Sequence, residues 1–162
     1  MGLLYNIGID IYTCGIKIAA CCNHKARLWR DGRKGLLRHI EERMAGVAGC
    51  KVWIHAASLG EFEQARPIIE RIKSEMPEMV VVVTFFSPSG YEIRKNYPLA
   101  DYVFYLPSDS QGNVTRFLDA IRPDVAIFIK YEFWLNYLNE LRRRAIPTYL
   151  VSAIFRHSQV HF

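Results

Sequence analysis

The chain lacks the signatures of a bound metal, a disulfide scaffold or a nucleotide cofactor. Cysteine is scarce: Cys14, Cys21, Cys22 and Cys50 form no C-x-x-C pair, and three of them sit in one apolar N-terminal run. A disulfide framework or zinc site is therefore not expected, and a reducing cytoplasmic setting fits better. The five histidines show no H-E-x-x-H spacing, so no structural metal is expected. No G-x-G-x-x-G and no G-x-x-x-x-G-K-[ST] occurs, which disfavours NAD and FAD and excludes P-loop chemistry. Nothing in the sequence implies a cofactor. There is no nucleic-acid-binding motif, internal repeat or low-complexity linker. The basic residues are dispersed, so the net charge of +5 favours phosphates or a membrane surface over nucleic acid.

What is present is enough apolar sequence for one domain with a real core, 51% hydrophobic over 162 residues. Residues 1–22 are mostly apolar, broken by Asp10 and Lys17, and lead into a basic stretch with His24, Lys25, Arg27, Arg30, Arg33 and Lys34. The length suits a spanning helix, but two internal charges weaken that reading. No small-residue cleavage site follows, which argues against a secretory signal. Basic residues beside an apolar segment hold that side in the cytoplasm and attract anionic lipids. The segment reads as a membrane anchor or interfacial helix; the alternative is a helix packed on the rest of the protein.

Beyond Gly49 short apolar runs alternate with amphipathic stretches. Strands are predicted over 51–55, 79–85, 102–106, 124–129 and 148–151, and helices over 60–76, 88–96, 111–121 and 132–145. The alternation predicts an α/β fold, a Rossmann-like parallel sheet with flanking helices. Its loops after the strands converge on one edge, where such sheets hold ligands. The 151–162 stretch contains no finishing element, and the chain reads as a piece of a longer protein.

The loop after the first strand is the most informative. Ser58-Leu-Gly-Glu61 fits the capping box S-x-x-E, in which Ser58 caps the helix and Glu61 returns a bond to the backbone. Gly60 adds something a cap does not need, since glycine in a helical turn is unfavourable by up to about 1 kcal/mol yet lets a ligand approach the backbone. The other reading makes Glu61 a general base for a sugar hydroxyl, a carboxylate being favoured at a helix N-terminus. The second loop, with Ser87, Ser89 and Gly90, resembles an anion site, or else a Ser87 cap with Pro88 in the first turn. Ser108-Asp-Ser-Gln111 reads as a further capping box. Lys130 and Glu132 follow a buried strand directly, which places them at the site edge as a possible ion pair, with Trp134 expected in the core.

Taken in order, Trp53 to Glu61, Thr84 to Gly90, Tyr105 to Asp109, Lys130 to Asn136 and Ser152 to Arg156 resemble the motifs W-I-H-A-x-S-x-G-E, T-x-x-[ST]-x-[ST]-G, Y-L-P-x-D, E-x-E-x-W-P-N and an N-A-R-like segment. These belong to the N-terminal half of the Kdo transferases, which add 3-deoxy-D-manno-octulosonic acid (Kdo) to lipid A precursors. The resemblance implies the N-terminal half of an inverting, B-type glycosyltransferase fold. Residues 1–31 would form the membrane-associating helix and basic flank, and 32–162 the acceptor-binding domain. It implies Glu61 as catalytic base, acceptor contacts from Ser58, Gly60, Ser87, Ser89, Gly90, Lys130, Glu132 and Arg156, and no metal. A lipid A precursor would be the acceptor. The CMP-Kdo donor would bind a C-terminal half absent from this chain, at the cytoplasmic side of the inner membrane. Three positions depart from the pattern: Lys130 stands for the first glutamate of E-x-E, Leu135 for the proline, and Arg156 matches only approximately. Two alternatives stay open. One is a non-catalytic, membrane-attached Rossmann-like module for lipid or phosphate. The other is a B-type glycosyltransferase for another lipid-linked acceptor.

Overall fold

A computed structural model describes residues 2–153, with side chains from Leu4 onward. The elements run α1 (Gly2–Ala19), α2 (His24–Asp31), α3 (Leu36–Met44), β1 (Lys51–Ala56), α4 (Leu59–Glu75), β2 (Val80–Phe85), α5 (Pro88–Arg94), β3 (Tyr102–Tyr105), α6 (Gln111–Ile121), β4 (Val125–Ile129), α7 (Leu135–Arg143) and β5 (Thr148–Val151). The five strands form one parallel sheet in the order β3-β2-β1-β4-β5. The expected α/β, Rossmann-like architecture is thus the observed one. Strand order reverses between β1 and β4, which makes the crevice beyond their C-terminal ends the natural ligand site.

Alternation along the strands sorts the core into two layers. Trp53, Val82, Phe104, Ala126 and Phe128 face one side and pack with Ile40, Val114, Phe117, Leu118, Tyr137 and Leu141 of α3, α6 and α7. Val52, Ile54, Ala56, Val81, Val83 and Phe85 face the other and pack with Phe62, Ala65 and Ile69 of α4. Trp53 is fully buried, with ring centroids 5.1 Å from Phe117 and from Phe128 and 5.5 Å from Tyr137. Its indole N–H donates to Thr84 Oγ1 at 2.8 Å, so the polar atom is satisfied.

The structure departs from the sequence reading in two places. α2 occupies the basic stretch and α3 the residues that follow it, neither of which carried an element. α2 is capped by Asn23, whose Oδ1 accepts from Ala26 N at 3.0 Å, and α3 buries Leu36, Ile40 and Met44 at i, i+4, i+8. α7 starts at Leu135, not at 132, because Asp109 supplies its cap from another loop. Among the described residues no helix is long and apolar enough to cross a membrane. α1 is docked at its N-terminal end by Tyr5 and Asn6 while Leu4, Ile7, Ile11 and Ile18 stay exposed.

Candidate functional site

The turn after β1 carries Ser58 to Glu61 into α4. Ser58 has the extended backbone of an N-cap, yet its side chain makes no cap bond. Its hydroxyl donates to the Glu61 carboxylate. The expected reciprocal capping box does not form, because the two side chains bind each other and not the backbone. Glu61 is not sealed in: its side chain is 19% exposed, and Lys130 Nζ stands 3.8 Å from Oε1. Glu61 follows β1 and Lys130 follows β4, so this contact spans the point where strand order reverses.

The ion pair expected between Lys130 and Glu132 is replaced by this one. Lys130 sits in the left-handed region, φ 62°, and its N–H donates to Val151 O at 2.8 Å. That conformation is uncommon for a side chain with a Cβ and costs on the order of 1–3 kcal/mol. It turns the ammonium toward Glu61. Glu132 goes elsewhere: its Oε2 accepts from Trp134 Nε1 at 2.9 Å and lies 3.6 Å from His55 Nε2. The same indole N–H also approaches His55 Nε2 at 3.2 Å. With Nε2 as acceptor, the ring proton of buried His55 sits on Nδ1, which faces Thr84 O and Oγ1 at 3.2 and 3.0 Å. Trp134 is therefore an edge residue joining core to site, only partly buried, with its ring 4.8 Å from Phe86. Phe86 in turn meets Tyr12 of α1 at 6.2 Å and Trp29 of α2 at 5.8 Å, so an aromatic row links α1 and α2 to the loops of the edge.

The remaining predicted residues fall into two groups. Ser87 caps α5, accepting from Ser89 N at 3.4 Å, and its hydroxyl lies 3.0 Å from that of exposed Ser89. Ser87 N donates to Ala57 O at 2.7 Å, which ties the second loop to the first. A Cβ at Gly60 would meet only Ser58 Oγ at 3.9 Å, so no protein atom requires glycine there. A Cβ on buried Gly90 would come 2.2 Å from the Phe85 ring, which gives that glycine a packing reason. Arg156 lies outside the described residues.

Sequence reasoning missed Asp109. It expected a capping box at Ser108 to Gln111, but the N-cap is Ser110, which makes no side-chain cap bond, while Ser108 accepts from Asn113. Asp109 is buried and accepts from Asn136 N and Tyr137 N at 3.2 and 3.1 Å and from Tyr5 OH at 2.5 Å. Burial raises its pKa, and those hydrogen bonds oppose the rise. The cue was positional: a short acid in a tight loop after a strand caps a neighbouring helix as readily as its own. Arg33 was also missed. Its guanidinium donates to Leu106 O, Phe86 O and Trp29 O at 3.0, 2.9 and 3.2 Å, which pins α2 to the loops after β2 and β3. Among the described residues no three His, Cys, Asp or Glu side chains gather as a metal site would need.

Comparison with known proteins bears on this geometry. A family model described as 3-Deoxy-D-manno-octulosonic-acid transferase (kdotransferase) matches residues 31–161. The chain is 29% identical over 121 residues to the 3-deoxy-D-manno-octulosonic acid transferase of Haemophilus influenzae, covering 72% of this chain and 28% of that protein. It is 33% identical over 117 residues to the protein of that name from Chlamydia trachomatis, covering 70% and 27%, and 31% identical over 117 residues to that from Aquifex aeolicus, covering 70% and 31%. The chain thus spans less than a third of the length of each of these relatives.

Proposed function

The chain belongs to the 3-deoxy-D-manno-octulosonic-acid transferase family, and on that premise we propose that it is the N-terminal, acceptor-binding part of an inverting glycosyltransferase that uses Glu61 as general base. The observation that carries the reading is the Glu61 carboxylate in the first turn of α4, partly open to solvent and held between Ser58 and Lys130 at the switch point of the sheet. An anion is favoured at that helix end.

In this mechanism a lipid A precursor presents a sugar hydroxyl beside Gly60. Glu61 accepts its proton as the oxygen attacks the anomeric carbon of Kdo, and CMP departs from the opposite face. Ser58 and Lys130 orient the carboxylate. Ser87 and Ser89 offer hydroxyls, and Lys130 offers charge, to the acceptor's polar groups; Glu132, fixed by Trp134, borders the cleft. The CMP-Kdo donor is held by a second half of the full-length protein. α1 supports membrane attachment in the plane of the inner-membrane surface. Its exposed Leu4, Ile7, Ile11 and Ile18 supply an apolar face, and the basic residues of α2 follow on the cytoplasmic side.

The test is transfer by the full-length protein from CMP-Kdo to a lipid A precursor, run beside UDP-sugar donors. Transfer from a UDP-sugar and not from CMP-Kdo would replace this reading by a glycosyltransferase of another donor class. No transfer from either would leave a binding module.

A further inference from the structure

At the β3 side of the same sheet edge, the turn joining α2 to α3 folds against the loop after β3 and leaves a cavity of about 290 Å³. Arg33, Arg38 and Arg116 contribute to its walls together with Ser108 and Asn113, and no Asp or Glu lines it. The size lies just under the range of pockets that hold drug-sized ligands, roughly 300–1,000 Å³, and suits a small charged group.

Arg33 is the unusual member. It lies over the rings of Trp29 at 3.9 Å and of Phe86 and Tyr105 at 5.0 Å each. Burial lowers its pKa to about 9, while the intrinsic basicity of guanidinium keeps it charged at neutral pH. Among the described residues no carboxylate comes within ion-pair reach of it; its charge is met only by three carbonyls and three rings. Buried cations ordinarily have a counter-ion. Three carbonyls also occupy only three of its five N–H groups. Beneath it, Trp29 is 5% exposed and its Nε1–H meets no acceptor, and a buried donor left unpaired calls for an explanation.

The other cavity residues can be recruited. Arg38 is engaged by Glu42 in an exposed pair that contributes little in water, and Arg116 meets both oxygens of Glu41 through Nε and Nη2, which leaves further N–H groups of its guanidinium for a ligand. Ser108 Oγ accepts from Asn113 Nδ2 at 2.8 Å, so its own proton remains to be given. The N-terminal turn of α3 opens on the cavity through Gly35 and Leu36, without a side-chain cap.

We propose that this cavity is a phosphate subsite that takes a phosphomonoester dianion between Arg33 and Arg116, with Ser108 as a neutral donor. The planar fork of guanidinium matches phosphate oxygens two at a time. The subsite is wired to the proposed base: Arg33 holds Phe86 O, and the next residue, Ser87, holds Ala57 O in the turn that leads to Glu61. Only the source of the phosphate rests on the acceptor-binding reading above, in which a lipid-borne phosphate seats here while the sugar hydroxyl meets Glu61.

The test uses the full-length protein. Inorganic phosphate is titrated at fixed ionic strength against chloride and followed by calorimetry. Saturable binding is expected, weakened about tenfold in Arg116→Gln by loss of a charge-assisted contact and unchanged in Arg71→Gln, on the exposed surface of α4. Arg33→Gln should abolish binding, but it also cuts three carbonyl bonds, so Arg116→Gln and Asn113→Ala decide the matter if that variant does not fold. Phosphatidylcholine vesicles carrying phosphatidic acid, compared with vesicles carrying phosphatidylglycerol, separate the sources. Binding to phosphatidic acid that Arg116→Gln removes assigns a lipid-borne phosphomonoester, and a response to inorganic phosphate alone assigns a free anion. No saturable response in either arm, or one that Arg116→Gln and Asn113→Ala both leave intact, overturns the subsite. Neither arm requires transfer, so an inactive protein that still binds phosphate defeats the functional reading alone, and an active one that binds none defeats the subsite alone.

Discussion

The Tyr5 hydroxyl donates to Asp109 Oδ2 at 2.5 Å, joining the first helix to a loop 104 residues away. Burial and the neighbouring Asp109 both push the phenol up, so Tyr5 remains the donor at neutral pH. Its oxygen also accepts from Leu135 N at 3.3 Å, at the start of α7. One side chain therefore docks α1 and completes the N-terminus of α7.

Tyr5→Phe should lower stability by about 1–2 kcal/mol, since it removes a hydrogen bond to a charged group and leaves Asp109 with two donors in place of three. Urea unfolding reads the change. A midpoint equal to that of the parent protein would mean that α1 does not dock through this contact. Asn136 Nδ2 to Asn6 Oδ1, at 2.8 Å, is the neighbouring tie, and removing both should loosen α1 more than either alone.

Two glycines in the site loops should answer substitution in opposite ways. Gly90→Ala forces a methyl into the Phe85 ring, an overpacking that destabilises by roughly 1–3 kcal/mol. Gly60→Ala meets nothing nearer than 3.9 Å and gains helix propensity, so it should stabilise by up to about 1 kcal/mol. If the acceptor approaches the backbone at Gly60, the same variant of the full-length protein should be thermally firmer yet slower in transfer. A Gly60→Ala enzyme with full activity would dissociate that glycine from substrate approach.

The sheet was legible because its strands are continuous apolar runs between turn residues, as buried parallel strands must be. Val80 to Val83 and Val125 to Ile129 could be little else. The helices with a long apolar stripe, α4 and α6, were equally plain. α2 was hidden because its apolar content is mainly Leu28 and Trp29 amid charges, and its stability comes from the Asn23 cap and from Arg33 reaching two distant loops. The site was legible as a set of loops but not as a set of bonds. Ser58, Glu61, Lys130 and Glu132 were marked as candidates, yet the pairing of Lys130 with Glu61 depends on the left-handed turn at Lys130, which no propensity of lysine foretells. Asp109 was missed because the box Ser108 to Gln111 drew the capping role to Ser108 and Gln111, while the acid between them reaches the start of a different helix, α7.

Glu61→Gln in the full-length protein should reduce transfer by at least about 10²-fold, the lower range for removing a general base, and leave acceptor binding measurable. Glutamine keeps the shape and can still meet Ser58, so a lost rate reports a lost proton acceptor. Lys130→Gln should lower transfer less, since it removes an orienting charge 3.8 Å from the carboxylate and no reacting group. Substantial turnover by Glu61→Gln would rule out Glu61 as the base.

The last prediction concerns acid stability and rests on Glu140, whose side chain is almost wholly covered. Hydrogen bonds from Arg143, at 2.5 and 2.8 Å, and from Arg144, at 2.8 Å, bring its pKa from 4.5 down to about 2. A carboxyl with a folded-state pKa below its unfolded value stabilises the fold above the unfolded value, and that contribution fades as the pH falls toward the folded one. The window is therefore from about 4.5 down to about 2. Within it the parent protein should lose stability steadily. Glu140→Gln should start lower at neutral pH and lose less across the same interval, so the two curves converge in acid. Thermal unfolding at a series of pH values reads this directly. Parallel curves would show that the two arginines do not hold the ionised form. Arg144 also bonds Thr115 O at 3.3 Å and pairs with Asp119 at 2.8 Å, so Arg144→Gln should flatten the acid slope and also weaken the α6–α7 contact at neutral pH. Arg143→Gln, on the exposed side of the pair, should flatten the slope and lower neutral-pH stability only by Glu140's share, leaving the α6–α7 contact through Arg144 in place.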